Sequence, residues 1–320
     1  MKNGKFVISL DFELHWGGVE LWNLEEKKDY FATTRIGIPQ ILDLFEKYNI
    51  HCTWATVGFL FANNLLELQS FLPELRPSYS NASLYYYSLI EQDKIGTDEN
   101  DDPFHFGASL INKILACKNQ ELASHTFCHY YCNEVGQNVE QFEADIYAAQ
   151  KIAISKHNAA LQSLVFPRNQ FNKNYLEIAK KHGIQVFRSN PNIWFWKYNF
   201  GKLTSVFRAF DTLFSISGSL SYKESDLIIK NGIVELPASR FFRPYVEREK
   251  LIRTIRLNRI LNEMTYAAKN NRVYHLWWHP HNFGDDLVKN LEDLELILSH
   301  FRKLKTEYAF ESVAMKDFIK

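Results

Sequence analysis

Phe6-Val7-Ile8-Ser9-Leu10-Asp11-Phe12-Glu13 is the stretch from which the rest of this chain is read. It alternates with the period of two that a β-strand imposes: Phe6, Ile8, Leu10 and Phe12 face one side, and Val7, Ser9, Asp11 and Glu13 face the other. Two carboxylates therefore share a face at the C-terminal end of the strand. Like charges at that separation disfavour double ionisation, so the pair calls for a cation or a shared proton. In parallel barrels the active site lies at this end of the strands.

Working outward, short β-branched or aromatic runs alternate with longer segments of helical period. Further strands are expected at Cys52–Val57, Glu121–Ser124, Ser163–Phe166, Ile184–Phe187, Ile233–Leu236 and Val273–Trp278, which makes seven with the first. Helices are expected at Thr33–Tyr48, Asn138–His157, Asn172–His182, Glu249–Lys269 and Leu287–Lys305. This order implies an α/β fold of parallel strands wrapped by helices, and seven strands favour a slightly incomplete (β/α) barrel over an open sheet. Residues 69–106 and 189–231 break the alternation and read as two insertions over the active-site face of one domain spanning 1–320. No internal repeat or linker divides the chain.

Composition excludes several classes of function. The 320 residues are 46% hydrophobic and 23% charged, enough to build a well-buried core. Thirty-seven basic residues balance thirty-seven acidic ones, which leaves no global field for a nucleic acid. The four cysteines, Cys52, Cys117, Cys128 and Cys132, are too few and too unevenly spaced for a disulfide framework and point to a reducing compartment. Phe6–Leu10 is too short for a signal-peptide core, and Cys52–Ala62 falls short of the roughly 20 apolar residues of a spanning helix. The expectation is a cytoplasmic protein.

Three more strand ends carry polar groups. Ser124-His125-Thr126-Phe127-Cys128-His129 holds histidines at i and i+4, which one helical turn would place on one face. With the Glu13 carboxylate, His125 and His129 make three ligands and leave a position for water, the pattern of a catalytic zinc site. A closed structural site from Cys128, Cys132 and the same histidines would crowd four ligands into eight residues. Phe166-Pro167-Arg168-Asn169-Gln170-Phe171 follows the fourth strand, and Leu276-Trp277-Trp278-His279-Pro280-His281 ends the seventh.

In this order the motifs resemble those of the polysaccharide deacetylase family, the NodB-homology domain of carbohydrate-esterase type, in a variant Asp-x-Glu form. The resemblance runs from about residue 5 to residue 284. It includes Cys52-Thr53-Trp54-Ala55-Thr56-Val57-Gly58 and Val234-Glu235-Leu236-Pro237-Ala238-Ser239. It implies a distorted barrel, a divalent metal, commonly zinc, and hydrolysis of an acetamido group on a sugar. Asp11 would be the general base, Glu13, His125 and His129 the metal ligands, Arg168 the residue that orients Asp11, and His279 the general acid. Two departures stand out. The arginine motif reads Arg168-Asn169-Gln170-Phe171 without the usual proline, and Arg188-Ser189-Asn190-Pro191 offers no counterpart to the family's aspartate after strand five.

Phe171, Trp194, Trp196 and His281 are the candidate substrate contacts, and His281 could stand in for His279. Tyr85-Tyr86-Tyr87 could stack on sugar faces or pack an insertion onto the barrel. Arg253, Arg256 and Arg259, spaced by three, could face anionic lipid or a pyrophosphate-linked sugar, or form a solvated helix face. The expected substrate is an acetylated saccharide, lipid-linked or nucleotide-linked, in glycan or cell-envelope polysaccharide synthesis. The rival readings are hydrolysis of a non-sugar C–N bond, as in allantoinase-like relatives, and a catalytically silent saccharide-binding module.

Overall fold

A computed structural model describes residues 3–191 and 218–319. Strand β1 (Lys5–Phe12) sits mid-sheet because both of its faces are buried, one by helices and one by the barrel interior. Helix α1 (Leu24–Tyr48) follows, then β2 (Cys52–Thr56), the short helices α2 (Leu65–Phe71) and α3 (Tyr87–Glu91), α4 (Ala108–Ala116) and β3 (Gln120–Ser124). Next come α5 (Val139–His157), β4 (Ser163–Val165), α6 (Lys173–Lys181), β5 (Val186–Ser189), β6 (Ile228–Lys230), β7 (Ile233–Pro237) and β8 (Arg240–Phe241). The chain finishes with α7 (Lys250–Lys269), β9 (Val273–Trp278), α8 (Leu287–Tyr308) and β10 (Glu311–Val313). Helix α1 begins nine residues before its expected start, where Asn23 caps the first turn by accepting from the Glu25 N–H.

The sheet order is β6-β7-β5-β4-β3-β2-β1-β9-β8, parallel throughout except for β6 against β7, and β10 pairs in parallel with the start of β1. Its two margins are bridged by one segment. β7 pairs with β5, the Ala238 N–H donates to Ser189 O at 2.8 Å, the Ser239 N–H donates to His275 O at 2.8 Å, and β8 then pairs with β9. Pro237, which has no N–H to give, stands where the segment changes partner. The result is a curled, distorted and incomplete barrel, as the seven expected strands implied.

The alternation in β1 divides the core in two. Phe6, Ile8, Leu10 and Phe12 join the large cluster between sheet and helices. Val7 packs inside with Ala55, Ala123, Val165, Val186, Leu236 and Val273, and Met315 and Phe318 from the C-terminal turn complete this inner cluster. Buried Glu121 ties that turn in place, accepting from Thr53 Oγ1 at 2.6 Å and from the Lys316 N–H at 3.1 Å. Ser9, Asp11 and Arg188 share the interior beyond Val7, so the barrel turns from apolar to polar toward the C-terminal strand ends. No helix among the described residues is long and apolar enough to cross a membrane.

Trp54 is fully buried, edge-on to Phe12 at 6.1 Å and to Phe45 at 6.3 Å, and fills the seam between sheet and α1. Trp54→Ala is expected to lower unfolding free energy by about 3–5 kcal/mol in a urea titration, the usual cost of an aromatic-sized cavity. Leu66→Ala, at an 80% exposed site, should change it by less than about 0.5 kcal/mol.

Candidate active site

Asp11 is buried at the C-terminal end of β1, where an unpaired carboxylate would be costly. Its partner is Arg188: Nη1 donates to Oδ1 and Nη2 to Oδ2, both at 2.7 Å, in a fork-to-fork pair. Nη1 also donates to Ser9 Oγ at 3.1 Å, which lies 2.8 Å from His275 Nε2, and the guanidinium stacks on Trp277 at 4.2 Å. Burial pushes the Asp11 carboxyl up, but Arg188, His125 and His279 outweigh it and hold it below its ordinary value. His275 is pushed down to about 3 by burial and by the charge of Arg188, so it is neutral.

Glu13 follows β1 into a single turn (Leu14–Gly17) that folds back beneath its own carboxylate. A Cβ on Gly17 would lie 2.1 Å from Glu13 Cδ, so only glycine leaves room for that side chain. Glu13 Oε2 lies 3.2 Å from His125 Nε2 and 3.1 Å from His129 Nε2. His125 Nδ1–H donates to Val165 O at 2.8 Å, which leaves the Nε2 lone pair toward Glu13.

The two histidines converge through a loop, not the helical turn their spacing suggested. Thr126 (φ 64°) and His129 (φ 61°) are in the left-handed region, and the loop is held from outside the ring pair. Asp145 of α5 accepts the N–H groups of Phe127 at 2.7 Å and Cys128 at 3.0 Å, and Thr126 Oγ1 accepts that of Tyr130 at 2.7 Å. Burial raises the Asp145 carboxyl to about 6. Cys128 and Cys132 are buried free thiols that burial pushes well up, which suits core packing and not thiolate ligation.

His279, at the end of β9, brings Nε2 to 3.6 Å from both Asp11 Oδ2 and Glu13 Oε1. Asn282 sets its orientation: Oδ1 accepts from His279 Nδ1 at 3.2 Å and from its backbone N–H at 3.2 Å. A neutral amide thus holds the ring. His281 stacks on His279 at 4.8 Å with its Nδ1 3.7 Å from Glu13 Oε1, but burial and the neighbouring His279 push it down to about 3.

Residues 33–187 match the family model for polysaccharide deacetylase. The chain contains a polysaccharide deacetylase family domain. Its fold is similar to that of a protein assigned as a polysaccharide deacetylase from Mycobacterium smegmatis, at 11% identity and TM-score 0.60 over 99% of this chain and 89% of the other. A Pseudomonas aeruginosa PAO1 protein so assigned gives 9% identity and TM-score 0.58, with coverages of 98% and 89%. Puue allantoinase gives 10% and 0.54, with coverages of 98% and 88%. No curated protein matches the chain. The matched stretch contains His125, His129 and Arg168 but neither Asp11, Glu13 nor His279, which only the fold brings to the same place.

Two expectations for this domain are corrected. Arg168 does not orient Asp11; it follows β4 on a turn with positive φ, pairs with Glu20, lies 3.6 Å from Glu134, and caps the Tyr131 ring at 4.3 Å. Arg188 takes the place on Asp11. The signal was present in β5: Val186 points inward, so period two sends Arg188 inward too. Phe171 is half-buried and packs on Phe187 at 4.9 Å and on Phe166 at 5.5 Å. Arg253, Arg256 and Arg259 do not form an outward stripe for lipid: Arg253 pairs with Asp293, Arg256 with Glu249, and buried Arg259 with Glu263. Trp194 and Trp196 lie outside the described residues. Tyr86 is buried, stacking on His129 at 6.0 Å with its hydroxyl 2.8 Å from that of Tyr131, and so packs its insertion onto the barrel.

Glu13, His125 and His129 fit a divalent metal. Their donor atoms lie within 4.8 Å of one another, all three residues are buried, and Glu13 Oε2, which faces both Nε2 atoms, has no hydrogen-bond partner. Ligands about 2.1 Å from a tetrahedral centre stand about 3.4 Å apart, near the separations seen here. Burial pushes Glu13 up, yet His279, His125 and His129 hold it well below its ordinary value, as a ligand carboxylate requires.

Two outcomes follow. Gly17→Ala should weaken zinc affinity by about 10- to 100-fold in a chelator competition while leaving the circular dichroism spectrum intact, because the new methyl displaces Glu13. Arg188→Met should cost about 3–5 kcal/mol of stability by leaving a buried charge unpaired, whereas Arg168→Met, at a half-exposed pair, should cost about 1 kcal/mol or less.

Proposed function

We propose that this protein is a metal-dependent hydrolase that removes an N-acetyl group from a saccharide. The observation that carries the reading is the single point of approach shared by His279, Asp11 and Glu13, with His279 Nε2 3.6 Å from both carboxylates. One carboxylate is bound to a guanidinium and the other to imidazoles, so the two have separate tasks.

A metal held by Glu13, His125 and His129 would polarise the amide carbonyl and lower the pKa of water toward roughly 7. Asp11, kept ionised by Arg188, accepts a proton from the attacking water. His279 in its imidazolium form keeps Nδ1–H on Asn282 and gives its Nε2 proton to the departing nitrogen, which leaves as an amine. His281 stays neutral behind it and keeps the ring upright by stacking. Proton acceptor and proton donor thus flank the ligand set. A binding module would need neither, which supports the hydrolase over its silent rival.

The saccharide is proposed to be an intracellular, carrier-linked precursor in glycan or cell-envelope polysaccharide synthesis, with zinc as the metal. Purified protein should contain about one zinc per chain and release acetate from an acetylated saccharide. Asp11→Asn should keep the metal and lose about 10²- to 10⁴-fold in kcat, the usual size of a lost proton transfer. His125→Ala should lose both. Full acetate release by Asp11→Asn, or equal metal content in His125→Ala, would reject the assignment.

A further inference from the structure

β8 ends at Phe241, and the chain continues through Phe242, Arg243, Pro244 and Tyr245 on the same face of the barrel as His279. α7 crosses beside it, and a cleft lined by Phe242, Arg243, Tyr245, Arg256 and Leu257 opens between them. One ring separates this cleft from His279: Phe241, also in its lining, lies 6.0 Å from His279 and 4.8 Å from Trp277.

Two guanidinium groups in the cleft have unused donors. The Arg256 side chain is only 10% exposed; its Nη2 pairs with Glu249, but its Nε has no partner. A buried guanidinium N–H without an acceptor is costly, and the cleft is where that acceptor would come from. Arg243 has no hydrogen bond or ion pair among the described residues. Arg243 is exposed at the mouth of the cleft, where partial desolvation and the like charge of Arg256 push it below its ordinary value, and Glu249, already engaged by Arg256, compensates only in part. Two cations held together in this way call for an anion between them.

We propose that this cleft binds a phosphoryl group carried by the substrate, held by Arg243 and the Arg256 Nε–H. Donors supplied by two separate elements, the stretch after β8 and α7, suit a tetrahedral oxyanion, whereas a planar carboxylate is met by the parallel fork of one guanidinium. The cleft lies one aromatic ring beyond His279, so the phosphoryl group belongs on a part of the substrate away from the acetamido group. The subsite rests on the deacetylase reading for the identity of the saccharide, but the binding of the anion does not.

The test uses inorganic phosphate and pyrophosphate, titrated calorimetrically into the His129→Ala protein, where a crippled metal site cannot account for the heat. Saturable binding is expected, weakening with salt and falling about tenfold or more in His129→Ala/Arg243→Gln, the size of one charge-assisted hydrogen bond. Lys173→Gln, on α6, should leave it unchanged. Tighter binding of pyrophosphate would support a diphosphate carrier and tighter binding of phosphate a phosphomonoester. In otherwise native protein, Arg243→Gln should lower kcat/KM for a phosphorylated acetylated sugar and spare a neutral one. Absence of saturable binding, or binding indifferent to Arg243→Gln, would overturn the subsite. Phosphate binding that follows this pattern without acetate release from any saccharide would overturn the deacetylase reading and leave the subsite standing.

Discussion

Two carboxylates on one face of one strand, two residues apart and both buried, are the constraint on which the site is built. Neither Asp11 nor Glu13 can be ionised there without a counter-charge, and the fold supplies a different one to each. Asp11 receives a bidentate guanidinium from across the barrel, and Glu13 receives three imidazoles. The environment thus divides the labour between two similar groups. A carboxylate locked by Arg188 keeps its charge and its geometry, while one placed among imidazoles is prepared for a cation.

The supports around this pair are costly and local. The loop that brings His125 and His129 together carries two non-glycine residues in the left-handed region, and buried Asp145 holds its N–H groups in place. Gly17 leaves the space that the Glu13 carboxylate occupies. Strain and close approach of this kind persist only where surrounding structure over-determines them. The barrel provides that surrounding: an inner apolar cluster below, helices outside, and one bridging segment that changes strand partner at Pro237.

Charge placement also separates what the fold needs from what it leaves over. Arg240, Arg253 and Arg259 are spent on Glu263 and Asp293 within the chain. Arg168 braces Glu20 and Tyr131 beside His129. Arg243, together with one edge of Arg256, remains over, and this surplus lies on the catalytic side of the barrel. What points to a ligand is the Arg256 Nε–H, buried without an acceptor beside Arg243.

The one-dimensional pattern was sufficient wherever function follows period. Alternation in Phe6–Glu13 placed Asp11 and Glu13 together and Phe6, Ile8, Leu10 and Phe12 against helices, and the order of strands and helices implied the barrel. Local spacing also found His125, His129 and His279, because they follow the ends of β3 and β9. What the pattern could not decide was which distant group answers each buried charge. Arg168 and Arg188 both follow β-branched runs, and only the curl of the sheet shows that the second points inward across the barrel to Asp11. Asn282, Asp145 and Gly17 carry no motif, since an amide carbonyl, a loop brace and an absent methyl matter only in three dimensions. The arginines spaced by three looked like one face until α8 and Glu249 were found against them. Pairing of charges is settled by through-space distance and desolvation, which sequence separation does not encode, while strand periodicity is settled by the backbone, which it does.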